Sequence, residues 1–123
     1  MTAITVITAP SIGGPDELRA GLVYAFTQVQ RAVGAGESVS FVVAAADLLG
    51  HGSIYAAAYA NAAIGMARAT AFEGKRHGWR VNVIAAPDHN LANYANSLDG
   101  LDDVDLRGQV ITLGAELVGK VIP

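Results

Sequence analysis

The feature that most limits what this chain can fold into is the run Val39 to Ala46, apolar throughout except for Ser40. Such a run is the pattern of a strand buried on both faces. Ala3 to Ala9 reads as another short buried strand, rich in Ile, Val and Thr and closed by Pro10. Arg80 to Ala86, ended by Pro87, reads as a third strand, and Gln109 to Leu113 as a short fourth.

Helical patterns separate the strands. From Glu17 to about Val33 the apolar residues Leu18, Leu22, Ala25, Phe26, Val29 and Val33 fall on one helical face. Asp16, just after Pro15, is the expected N-cap, and Gly34-Ala35-Gly36 the expected stop. Asp47 to Ser53, with Gly50, His51 and Gly52, is expected to be a loop. A second long helix is expected from about Ile54 to Lys75, ending before Gly78. Asp88 to Gly108 reads as irregular and polar, with one helical turn near Leu91 to Leu98, and Ala115 to Pro123 carries no clear pattern. Strands alternating with long helices predict an α/β fold, a small parallel sheet with crossover helices. No repeat or linker divides the chain, so residues 1–123 are expected to form a single domain.

Composition excludes several classes. With 52% hydrophobic residues the chain has ample apolar surface to offset chain entropy, which excludes disorder. Eight Lys+Arg against 11 Asp+Glu leave no basic field for a phosphate backbone, so nucleic acid is not an expected partner. No apolar run of about 18 residues reads as a membrane span. The opening MTAITVITAP lacks the basic flank and cleavage site of a secretory signal, so a cytoplasmic protein is expected. Cysteine is absent, which removes disulfides, zinc knuckles and thiol catalysis. Twenty-three alanines and 14 glycines bury little area each, so part of the apolar surface is expected to be buried against another chain.

Particular residues go further. Ala62-Ala63-Ile64-Gly65-Met66-Ala67-Arg68-Ala69-Thr70-Ala71-Phe72-Glu73, followed by Gly78-Trp79-Arg80-Val81-Asn82-Val83-Ile84-Ala85, resembles the short-chain dehydrogenase/reductase family. In that family a helix written AAxxGLTRALAxEL leads to a GIRVNAVAPG strand. Gly36 to Ala45, GESVSFVVAA, is similar to the family's GGSIVNISS strand, and Arg107 to Leu113, RGQVITL, to its closing TGQVITVDGG strand. Asp16 to Ala32 corresponds to the helix before GGSIVNISS. The resemblance implies a truncated Rossmann-like fold, the C-terminal half of the family's domain. The first strand here runs straight into that helix, without the Gly-rich turn and the further β-α units that hold the dinucleotide. Gly13-Gly14 followed by Pro15 lacks the fingerprint spacing and reads as a plain turn.

The family's catalytic set is a Tyr, a Lys four residues on, a Ser and an Asn. Ala45 stands at the expected Ser and Leu18 or a neighbour at the Asn. Tyr55 and Tyr59 are the candidate catalytic tyrosines, vestigial because Tyr59 itself occupies the Lys slot for Tyr55, and Ala63 that for Tyr59. A free Tyr has a pKa near 10 and needs a cationic neighbour to act as a base at neutral pH. The resemblance therefore implies a non-catalytic subunit that binds no cofactor alone and meets NAD(P) only through a partner. That partner would be a full-length member of the family, or a second copy of the chain. Two rivals stay open: an oxidoreductase whose site a partner completes, and a homo-oligomeric small-molecule binding protein.

The remaining candidates read as structural. His51, His77 and His89 lie in three loops without ligand spacing, so surface positions are expected. Asp99, Asp102, Asp103 and Asp105 suggest calcium, but an EF-hand loop begun at Asp99 would put Val104 and Val110 where Gly and Glu are required. Asn82 is expected to hydrogen-bond backbone, and Trp79 to lie in the core or an interface. Ala58, Ala62, Gly65 and Ala69 form a small-residue stripe, the expected interface. In the family this helix and the preceding one pair across a two-fold axis. Ile4 to Thr8, with no charge, is expected to be an uncovered sheet edge that invites pairing.

Overall fold

A computed structural model describes residues 3–98 and 105–114. Four strands, β1 (Ile4–Thr8), β2 (Ser38–Ala44), β3 (Val81–Ala86) and β4 (Val110–Thr112), form one parallel sheet in the order β1-β2-β3-β4. Helix α1 (Pro15–Gly34) joins β1 to β2, and the short α2 (Ala45–Leu48) and long α3 (Ile54–Glu73) join β2 to β3. The α/β class, the parallel sheet and the four strands follow the sequence pattern, with ends shifted by a residue or two. The segment after β2 departs from the expected loop. Ala45 to Leu48 make one helical turn, because the apolar run continues past the last sheet bond and Ala45 stays buried.

The helix ends show which local signals won. Helix α1 starts earlier than expected: Gly14, in extended conformation, is its N-cap, and Pro15 opens the first turn. Asp16 is therefore inside the helix rather than capping it, and Glu17 reaches back to accept from the Gly13 N–H at 2.8 Å. At the other end Gly36 adopts a left-handed φ of 75°. That lets the Glu37 N–H reach the Ala32 carbonyl at 2.9 Å and the Gly36 N–H the Val33 carbonyl at 3.2 Å, which closes the helix. Helix α3 is capped by Ser53, whose hydroxyl accepts from the Ala56 N–H at 3.0 Å, and stops at Glu73 rather than Lys75. Lys75 to His77 instead make a 3-10 turn.

The two faces of the sheet are covered differently. On one, Phe41, Val39, Val43, Val81 and Val83 meet the alanines of α1 and α3. Alanine lets both helices sit close to the strands, so the layer is thin and rests on few large side chains. On the other, Val42, Ile84 and Ala86 are covered by Leu91, Tyr94 and Leu98. The stretch after β3, including the 3-10 turn Leu91–Tyr94, thus lies on the face opposite α1 and α3. The described part of this connection covers the face that the two long helices leave open. Its apolar residues supply the reason, since a sheet buried on both faces needs cover there.

Asn82 ties this crossover back to the sheet. It is 4% exposed; its amide donates to the Leu106 carbonyl at 2.8 Å, and its oxygen accepts from the Gln109 N–H at 3.0 Å. The structural role expected of Asn82 is the one observed. Trp79 is half-buried against the core, with the His77 ring stacked on it at 5.3 Å between centroids.

Candidate functional site

In open parallel sheets, ligands bind beyond the carboxyl ends of the strands. Here β1 ends into Ala9-Pro10, β2 into the turn of α2, and β3 into Pro87-Asp88-His89-Asn90. The loops after β1 and β3 flank an open crevice of about 310 Å³ lined by Thr8, Ala9, His89, Asn90, Leu91, Ala92 and Asn93. The His89 Nε2 lies 3.3 Å from the Asp47 Oδ2; the Asp47 side chain is 15% exposed and that of His89 is 68% exposed. Asp47 is a sheltered carboxylate within ion-pair distance of an accessible imidazole. Gly52 makes room for it, because a Cβ there would stand 2.8 Å from the Asp47 Oδ1. Asp88 organises the same loop, accepting from the Asn90 N–H and from the Tyr94 hydroxyl, each at 2.8 Å. The bond to Asp88 pushes the Tyr94 hydroxyl above its ordinary pKa.

With Nε2 turned to the Asp47 carboxylate, the Nδ1 side of the exposed His89 ring is the part open to a bound group. The sequence reading put His89 on the surface and did not pair it. Asp47 and His89 are far apart in the chain, and only the β2–β3 pairing brings the loops after them together. A usable signal was present: each residue follows closely on an apolar run read as a strand.

The tyrosines do not join this pair. Tyr55 is half-buried in the first turn of α3, and Tyr59, one turn on, is 2% exposed. Neither hydrogen-bonds to Asp47 or His89 among the described residues. Burial, with a smaller contribution from Tyr24, pushes the Tyr59 hydroxyl up to about 12. That moves it away from a base's working range. Ala45 is fully buried and brings no hydroxyl.

A spectroscopic pH titration checks this. Folded Tyr59 keeps its proton up to about 12 while the unfolded residue ionises near 10. Its contribution to stability is fully present below pH 10 and is lost as pH rises towards 12. Tyr59→Phe is expected to remove a late tyrosinate step above pH 11; a late step unchanged in that variant would contradict the assignment.

The small-residue stripe lies where a partner can reach it. Ala58, Gly65 and Ala69 are exposed, Ala62 is half-buried, and a Cβ built on Gly65 meets nothing within 4 Å. Larger apolar side chains stand exposed on the same two helices: Val23 at 61% and Phe26 at 52% on α1, Phe72 at 80% and Ile54 at 76% on α3. A groove of about 520 Å³ runs between the helices over Phe26, Val33, Ala69 and Trp79.

Asp99, Asp102 and Asp103 lie outside the described residues, and Asp105 pairs with Arg107 at 2.7 Å and Arg80 at 3.4 Å. Among the described residues no group of three His, Asp or Glu could hold a metal ion, and no helix is long and apolar enough to cross a membrane. The chain matches no protein-family model and none of the curated proteins.

Proposed function

We propose that this protein is a non-catalytic subunit that docks through the outer surface of α1 and α3. Its partner would be a full-length protein of the short-chain dehydrogenase/reductase kind, which the chain resembles in the segment Ala62 to Ala85. The observation that carries the reading is the apolar surface of the two helices: Val23, Phe26 and Phe72 stand more than half exposed beside Ala58, Gly65 and Ala69. Several large apolar side chains gathered on one surface are the usual mark of a protein contact. Small residues beside them let a partner helix approach closely. On this reading the chain stabilises the partner or shapes its substrate entrance, and any NAD(P) belongs to the partner.

The test is a tagged pull-down from the native host with mass identification, followed by the light-scattering mass of the purified complex. A full-length dehydrogenase recovered at fixed stoichiometry supports the proposal. Phe72→Glu and Ala69→Glu are expected to lower that recovery about tenfold or more, as charges placed in an apolar contact do. Full recovery with both variants would end the docking proposal.

One observation favours a second reading, an oxidoreductase completed by a partner. The Asp47–His89 pair, and the open crevice that His89 lines, lie at the carboxyl ends of the strands, where such a site would be assembled. His89→Gln in the assembled complex would then lower turnover while leaving the complex's mass unchanged.

A further inference from the structure

Strand β1 is an outer strand of the sheet, and no described strand pairs with its free side. Two hydrogen bonds fix which of its backbone groups point outward. The Ser38 N–H donates to the Ala3 carbonyl at 3.0 Å, and the Ala9 N–H donates to the Val42 carbonyl at 2.9 Å. Backbone groups alternate along a parallel ladder, so Ala3, Thr5, Ile7 and Ala9 turn towards β2. The N–H and C=O groups of Ile4, Val6 and Thr8 therefore turn away from the sheet. Nothing in Ile4 to Thr8 is charged, so none of the strand's own side chains guards the edge against pairing; the Arg31–Glu37 pair, bonded to Thr5, belongs to neighbouring elements.

From this we infer that β1 pairs antiparallel with β1 of a second copy, with Val6 on the two-fold axis. Only that register uses every outward group: Val6 exchanges both bonds with its counterpart, and Ile4 does so with Thr8 in each direction. Shifting the axis towards the C-terminus sets Ile4 against Pro10, which has no N–H to give. Shifting it towards the N-terminus leaves Thr8 beyond the partner's strand.

The helix layer fits the same axis. Helix α1 packs over β1 and β2. Joining two sheets edge to edge would set the two α1 helices about two strand spacings apart, roughly 10 Å, which is the distance at which helices pack. The flank of α1 that overhangs β1 is marked by Arg31, whose guanidinium donates to the Thr5 hydroxyl at 3.1 Å. Tyr24 lies on that flank, two turns earlier, and is 62% exposed in one copy. Pairing covers it against the second α1. Val23, Phe26 and Phe72 take no part, so the helix surface stays free for the docking proposed above.

The chain's own residues 115–123 are the competing occupant. They follow Gly114, next to β4, the strand farthest from β1 in the sheet.

The test uses the full chain, which has no native cysteine. Val6→Cys is the diagnostic variant: counterparts in a hydrogen-bonded antiparallel pair have Cα atoms about 5.5 Å apart, within disulfide range. Mild oxidation is expected to give a covalent dimer with Val6→Cys and little with Gly34→Cys. Thr8→Pro removes an outward N–H without touching the β1–β2 ladder. It is expected to raise the dimer dissociation constant, measured by sedimentation, about tenfold or more, with the circular dichroism spectrum unchanged. A monomer at all concentrations, or equal cross-linking of the two cysteine variants, overturns the inference. So does a dimer insensitive to Thr8→Pro but lost with Phe72→Glu, which would assign self-association to the helix surface. A chain that dimerises only when shortened after Gly114 would give the edge to its own tail, and also overturns it.

Discussion

Replacing Phe41 with alanine is expected to cost the fold about 3–5 kcal/mol, the upper range for emptying a large buried side chain. Phe41 is fully buried at the middle of β2, a strand paired on both sides. Of the three phenylalanines it is the one inside; Phe26 and Phe72 are 52% and 80% exposed. The layer above it is built from Ala25, Ala32, Ala60, Ala63 and Ala67, all buried. Alanines have no longer side chain to swing into a void, and both helices are already close to the sheet. The cavity should therefore persist rather than collapse, which places the cost towards the top of the range. A domain of this size is typically stable by about 5–15 kcal/mol, so urea unfolding should show a large drop in midpoint. Phe41→Leu is expected to lose about half as much or less. Near-equal losses for Leu and Ala would mean that ring shape, rather than cavity volume, governs the site.

Asn82→Leu is expected to cost about 2–4 kcal/mol, although leucine is close to asparagine in size and the position is buried. The reason is accounting of polar groups. The Asn82 side chain acts as a substitute peptide group, satisfying the Leu106 carbonyl and the Gln109 N–H where the chain enters β4. Leucine would leave both without a partner, and each buried unpaired group costs about 1–3 kcal/mol. The neighbouring bonds, Gly108 N–H to Val81 carbonyl and Val83 N–H to Gln109 carbonyl, depend on the same register, so β4 should fray first. Amide exchange at Gln109 to Thr112 would show this; unchanged protection there would refute the pinning role. Asn82→Asp adds a pH test. It keeps the acceptor for Gln109 but faces a carboxylate towards the Leu106 carbonyl, which should raise its folded pKa above about 3.9. Stability of that variant should then be greatest below the unfolded pKa and fall as pH rises through the folded one.

How far the primary structure was legible differs between elements. Val39 to Ala46 and Arg80 to Ala86 declared themselves as buried strands by their near-continuous apolar runs; Val39 to Ala44 and Val81 to Ala86 lie inside the sheet, while Ala45 and Ala46 turn into α2. Helix α1 was legible from its single apolar face, and Ala25, Val29 and Val33 of that face are buried. Its start was misplaced because Asp16 is a good cap in general, while Pro15 at the first helical position and Glu17 reaching back to Gly13 fixed the actual start. Helix α3 was legible as a helix but not as an oriented one. Being apolar nearly all round, it carries no periodic signal to say that Tyr59, Ala60, Ala63 and Ala67 face inward and Ile54 and Phe72 outward.

By itself the sequence determined the class of the fold, its strands and its two long helices. These are local properties, written in spacing and residue type. The tertiary structure decided what no spacing encodes: that the stretch after β3 covers the face opposite the helices, and that Asp47 meets His89. Each depends on which strands become neighbours and in what register. That choice belongs to the packing of the whole sheet, not to any one segment.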